Sequence, residues 1–260
     1  MNGELQFNLR DGVAHVTLNR PQARNALTFA MYEGLARIAT DIAEDPAVKV
    51  MVIRGAGDKA FAAGTDISQF LEFKNGEDGI AYEERLGSAM AVIERCPKPV
   101  IAAIDGACTG GGAAIAAVCD LRVATRGSRI GFPIARTLGN CLSIANVARM
   151  AALIGPSRVA DLVFTGRLVG AEEACAIGFI TEVVDDGAAL TTRIDALAQT
   201  VAGMAPLTLR ATKEQLRRLR EATSANAESD DLVRMCFGSV DFKNGVAAFV
   251  ARRAPHWEGR

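Results

Sequence analysis

GACTGGGAAIAAVCD, residues 106–120, follows the apolar run Val100–Ile104 and sets three consecutive glycines before a short apolar segment. Glycines at a strand-to-helix corner let backbone come close to a ligand, and the helix start behind them offers unpaired N–H groups to an anion or oxyanion. The first turn of that helix would be Ala113, Ala114 and Ile115, none of which can transfer a proton. The stretch therefore reads as a shaped backbone cradle whose immediate neighbours bring no chemistry. It has neither the GK[ST] of a phosphate-binding P-loop nor the G-x-G-x-x-G spacing of a dinucleotide site.

A second corner of the same kind lies upstream, in GAGDKAFAAGTDISQF, residues 55–70. Ala62, Ala63 and Gly64 are small enough for close backbone approach, and Asp66 is placed to cap the helical pattern 66–73. Two corners that each aim an N–H at one point suit a carbonyl oxygen as it gains negative charge. Each such donor is worth ~3–4 kcal/mol to a transition state. Taken singly, either corner is equally a plain tight turn.

Outward from these corners the chain alternates strand and helix. Strands are expected at 5–9 and 13–18 around the turn Arg10-Asp11-Gly12, and at 48–53, 100–104 and 121–124. Thr28 caps a helix in which Phe29, Met31, Leu35, Ile38, Ala39 and Ile42 recur at helical spacing. The Val- and Ile-dense strands indicate an α/β fold. Beyond residue 186 the segments 188–204, 207–222, 226–237 and 241–253 all read as helices with charged faces. The expected plan is a core over residues 1–186 and a helical region over 187–260, the latter suited to contact with a neighbouring subunit.

With 260 residues, 50% of them apolar and a formal charge of −1, the chain has no electrostatic footprint for nucleic acid or an anionic membrane. No charge-free apolar run reaches the ~18 residues of a transmembrane helix, and the N-terminus does not read as a signal peptide. A cytoplasmic protein is expected. The six cysteines (96, 108, 119, 141, 175, 236) contain no C-x-x-C pair and are expected to be reduced and buried. The two histidines, His15 and His256, lie near the chain ends, which argues against a histidine triad or a zinc site, so no metal is expected.

Together these stretches resemble the crotonase superfamily, the enoyl-CoA hydratase/isomerase family. NRPQARNAL (19–27) looks like its first coenzyme A loop, AFAAGTDI (60–67) like its first oxyanion loop, and PKPVIAAIDGACTGGG (97–112) like its second. The segments 153–184 and 241–257 resemble later parts of the family pattern, so the likeness covers about nine tenths of the chain. It implies a spiral of ββα turns with a C-terminal helical region, assembled as trimers or dimers of trimers. It also implies a coenzyme A thioester as substrate, with no further cofactor, its carbonyl held by the backbone N–H groups of Thr65 and Gly111. Coenzyme contacts would fall on Ala23, Arg24, the backbone of Ala63, Asp66 and Ile67, and Phe249 near the adenine. Arg24 suits the phosphates, because guanidinium pairs well with phosphate.

The chain also departs from that pattern. Hydratases of the family carry a glutamate two residues after the glycine trio and another in a Pro-Glu of the following loop. Here Ala114 and Ile134 stand in those places. Neither can move a proton, a task worth ~10²–10⁴-fold in rate. Arg136, Asn140 and Cys141 are polar candidates near the pocket. Tyr82, Glu83, Glu84 and Arg85 read as a solvated helix face, and EFKNGEDGIAY (72–82) as a mobile lid. Three functions follow: a hydratase/isomerase-type enzyme with an atypical acid/base, a decarboxylase of a malonyl-type thioester in which Arg136 meets the carboxylate, or a non-catalytic acyl-CoA binding protein.

Overall fold

The structure, a computed structural model, describes residues 3–224 and 227–260. Residue 226, the first of one expected helix, lies outside the described residues. Asp11 and Gly12 both adopt left-handed φ, 51° and 76°, and close β1 (Leu5–Arg10) onto β2 (Val13–Leu18) as a two-residue hairpin. Thr28 Oγ1 then accepts from the Met31 N–H at 3.3 Å and starts α1 (Phe29–Ala43), whose inner face buries Tyr32, Leu35 and Ile38.

From here the chain winds so that each turn lays one strand on each of two walls. β3 (Val50–Gly55) leads to β4 (Ala60–Ala62), β5 (Val100–Ile104) to β6 (Ala107–Thr109), and β7 (Leu121–Thr125) to β8 (Arg129–Gly131). A helix follows each pair: α2 (Gly76–Arg95), α3 (Gly111–Val118) and α4 (Ile134–Thr137). Next come α5 (Ile144–Ile154), α6 (Pro156–Thr165), β9 (Val169–Gly170), α7 (Ala171–Ala176) and β10 (Glu182–Val184). The first wall has strand order β1-β2-β3-β5-β7-β10, parallel from β2 onward, and the second has order β4-β6-β8-β9. This is the expected spiral of ββα turns. The strands of the second wall had no counterpart in the sequence reading, because runs of two or three residues are too short to show periodicity.

The central strands of the first wall, β3, β5 and β7, are buried on both faces, which explains their apolar runs. One face joins the main core with α1, α2 and α3. On the other, Val13, Val50, Val52 and Ile101 pack under Leu190 and Ile194 of α8 (Gly187–Ala202). The remaining helices are α9 (Pro206–Ser224), α10 (Asp230–Phe237) and α11 (Val240–Val250). A cluster of rings ties α10 and α11 to α2: Phe70 meets Tyr82 at 4.9 Å between centroids, and Phe237 meets Phe242 at 4.8 Å.

Two expectations are corrected. The stretch 72–82 is not an independent lid but the end of a 3₁₀ turn (Ile67–Glu72) followed by the capped start of α2. Asn75 Oδ1 accepts from Glu77 N–H at 2.8 Å and Asp78 Oδ2 from Asn75 N–H at 3.1 Å, so its polar residues cap a helix. That helix packs beside α10, where Arg234 Nε meets Glu77 Oε1 at 2.6 Å. The cysteines are all free, but only Cys96, Cys108 and Cys119 are buried, while Cys141, Cys175 and Cys236 are half-buried.

Candidate active site

Both corners fold as strand-to-helix turns and converge. Asn25, fully buried with φ of 55°, donates from Nδ2 to the Ala60 carbonyl at 2.7 Å, fastening the 19–27 loop to β4. Ala63 N–H then donates to the Arg24 carbonyl at 3.0 Å, Leu27 N–H to Gly64 at 2.8 Å, and Asp66 N–H to Leu27 at 2.8 Å. These bonds pass over Thr65, whose own N–H donates to no protein acceptor among the described residues.

The glycine trio owes its composition to sterics. Gly110 sits at φ +51° and ψ −119°, outside the range of L side chains, and a Cβ on Gly112 would lie 2.3 Å from the Ala62 carbonyl oxygen. Gly111 is the first residue of α3, so its N–H is one of the unpaired donors of a helix start. A Cβ there would stand 2.0 Å from Tyr32 Oη and 3.1 Å from Thr65 Oγ1, which also shows how closely the two corners meet.

Thr65 is held from its side chain. Its Oγ1 lies 2.8 Å from Tyr32 Oη and 2.8 Å from Tyr82 Oη, the chain's two tyrosines, with all three residues buried. Burial pushes both phenols well above their ordinary range, so they stay neutral and fix the threonine by hydrogen bonds alone.

A cavity of about 830 Å³ opens at this point. Thr65 and Gly111 line it, with Ala63, Asp66 and Ile67 beside them and Ala23, Arg24 and Phe249 further along the wall. Ala114 and Ile134 also face it, so both positions that would hold acids in the resemblance are apolar wall. Asn140 lines it too, with its buried Oδ1 meeting no partner among the described residues. Arg136 and Cys141 do not. Arg136 is exposed, because a four-residue helix turns it away beside Gly166. Cys141 points Sγ at the Leu232 carbonyl, 3.7 Å away on α10, and its thiol is pushed up by the neighbouring Cys236 and by burial. It is no activated nucleophile.

The expected solvated face of α2 is half right. Glu84 and Arg85 are exposed, but Tyr82 and Glu83 are buried and line the cavity. Burial pushes the Glu83 carboxyl up to about 7, although Ser143 opposes the shift, its N–H donating to Oε2 at 3.2 Å. The signal was present: Gly79, Glu83, Leu86, Met90 and Ile93 follow the helical alternation of four and three and are all buried. Asp66 is different. Burial raises its carboxyl, but bonds from Ser68 and Arg20 outweigh that and hold it below the usual carboxylate range, and the Arg20 ion pair measures 2.9 Å. Arg252, also missed, lines the cavity rim with Arg24.

Comparison with known proteins gives a consistent picture. A profile of the enoyl-CoA hydratase/isomerase family matches residues 8–260. The short-chain-enoyl-CoA hydratase of Clostridium acetobutylicum is 32% identical over 243 residues, covering 93% of this chain and 92% of that protein. The crystal structure of an enoyl-CoA hydratase/carnithine racemase from Magnetospirillum magneticum superposes with a TM-score of 0.80 at 35% identity, covering 99% of this chain and 96% of that one. Methylmalonyl-CoA decarboxylase in complex with 2-nitronate-propionyl-CoA superposes with a TM-score of 0.88 at 25% identity, covering 99% of each chain.

Proposed function

This chain belongs to the enoyl-CoA hydratase/isomerase family, and from that premise we propose that it is an enzyme acting on an acyl-CoA thioester through an enolate. The thioester oxygen lies between the backbone N–H groups of Thr65 and Gly111 while charge develops on it. The observation that supports this most directly is that Thr65 and Gly111, neither of whose N–H groups meets a protein acceptor among the described residues, stand side by side on one wall of a cavity of about 830 Å³. Preorganised donors of this kind stabilise an oxyanion with no reorganisation during the reaction. The coenzyme runs along Ala23, the 63–67 backbone and Phe249, with Arg24 and Arg252 supplying cations for its phosphates. The chemistry as proposed calls on no metal or redox cofactor, and the protein works as a trimer or dimer of trimers.

A second reading, decarboxylation of a malonyl-type thioester, draws on the likeness to methylmalonyl-CoA decarboxylase and on the apolar Ala114 and Ile134. It has lost its cation, since Arg136 lies outside the cavity. The test is incubation with crotonyl-CoA in deuterated water and, in parallel, with methylmalonyl-CoA, against a Gly111→Pro control that removes one N–H and crowds the Tyr32 hydroxyl beside it. Loss of enoyl absorbance or deuterium uptake well above the control supports the enolate reading, and release of carbon dioxide alone supports the second. Tight acyl-CoA binding with no turnover of either compound would overturn both and leave a binding protein.

A further inference from the structure

We propose that Glu83 is the catalytic acid/base of this site, taking a proton from the carbon next to the thioester carbonyl and returning one to the enolate. The proposal rests on the acyl-thioester reading above. Only two carboxyl groups line the cavity among the described residues, Asp66 and Glu83. Asp66 is tied to Ser68 and Arg20. Glu83 pairs with no cation among the described residues and sits next to Tyr82, whose hydroxyl bonds the threonine of the oxyanion cradle. No histidine or cysteine reaches that wall.

A single carboxyl group fits one class of reaction best. With a 3-enoyl thioester, the Glu83 carboxylate removes a C2 proton, and the C–H electron pair forms the C1=C2 bond of a dienolate. The negative charge moves to the thioester oxygen, held by Thr65 and Gly111. Neutral Glu83 then gives a proton to C4, C1=O re-forms, and the C=C bond is left at C2=C3. Proton and electrons balance without water, oxidant or a second acid. Hydration would in addition require a group to activate water, and Ala114 and Ile134 supply none.

The titratable groups acting on Glu83 are Tyr32 on α1, its neighbour Tyr82, and Cys141. α3 brings none, and Arg234 of α10 is paired with Glu77. The two phenols and the Cys141 thiol stay neutral, while Cys236 of α10, which bonds to Cys141, has its own thiol held below the usual range by that bond.

The test uses 3-butenoyl-CoA in deuterated water, with butyryl-CoA affinity measured separately by calorimetry. The wild-type protein should form crotonyl-CoA deuterated at C4. Glu83→Gln keeps an acceptor for the Ser143 N–H, so it should bind butyryl-CoA within about 3-fold of wild type yet isomerise at least ~100-fold more slowly. Glu83→Asp should recover part of the rate, and the wild-type rate should rise with pH across neutrality. A Glu83→Gln protein at wild-type rate, or a wild-type protein that binds butyryl-CoA but exchanges no proton, overturns the proposal. Failure of the wild type to bind butyryl-CoA would instead overturn the acyl-thioester reading beneath it.

Discussion

Gly111 shows what one residue decides. Its missing Cβ leaves room for Tyr32 Oη, which in turn holds Thr65 Oγ1 at 2.8 Å. The expected effect of Gly111→Ala is therefore overpacking, a loss of ~1–3 kcal/mol. Tyr32→Phe removes the clashing oxygen, so the double variant Gly111→Ala/Tyr32→Phe should be less destabilised than the two single losses added together. Urea midpoints of the four proteins measure this coupling. Strict additivity would mean that Tyr32 does not fill the space beside Gly111.

At the scale of elements, α2 embeds a carboxyl group in an apolar stripe, which opposes stability in a pH-dependent way. Glu83 shifts from 4.5 in the unfolded chain to about 7 in the folded one. Below 4.5 it is protonated in both states and contributes nothing. Between 4.5 and 7 the folded state holds more protons, so stability falls as pH rises, reaching a penalty of about 3 kcal/mol above 7. Glu83→Gln should abolish that slope, leaving the variant more stable than wild type at pH 8 and close to it at pH 4.5. Thermal melts across that range give the answer, and parallel curves would mean the carboxyl is not buried. A site that gains stability on losing a charged residue is the pattern expected where function opposes packing.

At the scale of the whole molecule, α9 is a helix without an interior. None of its residues is buried, and Leu207, Leu216 and Leu219 are 76%, 63% and 67% exposed. It is held to the core through polar contacts, including Lys213 to Asp120 at 2.8 Å. Exposed apolar residues on a helix that buries none of its own side chains suit a subunit interface, in keeping with the proposed trimer. Light scattering should give a mass of three or six chains for the wild type and a smaller one for Leu216→Glu/Leu219→Glu. A monomeric wild type would remove α9 from any assembly role.

The sequence by itself determined five strands of the first wall (β1, β2, β3, β5 and β7), the Thr28-capped α1 and the two glycine- and alanine-rich corners. Each is fixed by local rules: apolar runs, the Asp11-Gly12 turn, and positions where only a small residue is tolerated. It also showed that Ala114 and Ile134 bring no acid. Only the tertiary structure decided what stands in the cavity instead. Glu83 looked like one of four polar residues on a helix, and its burial depends on α10 and the Ser143 backbone, 60 residues away in sequence, closing over α2. Arg136 left the cavity because α4 is a single short turn that points it outward. A helix's period says which residues share a face, but what packs against that face is set by contacts distant in sequence, and burial and pKa follow from those contacts.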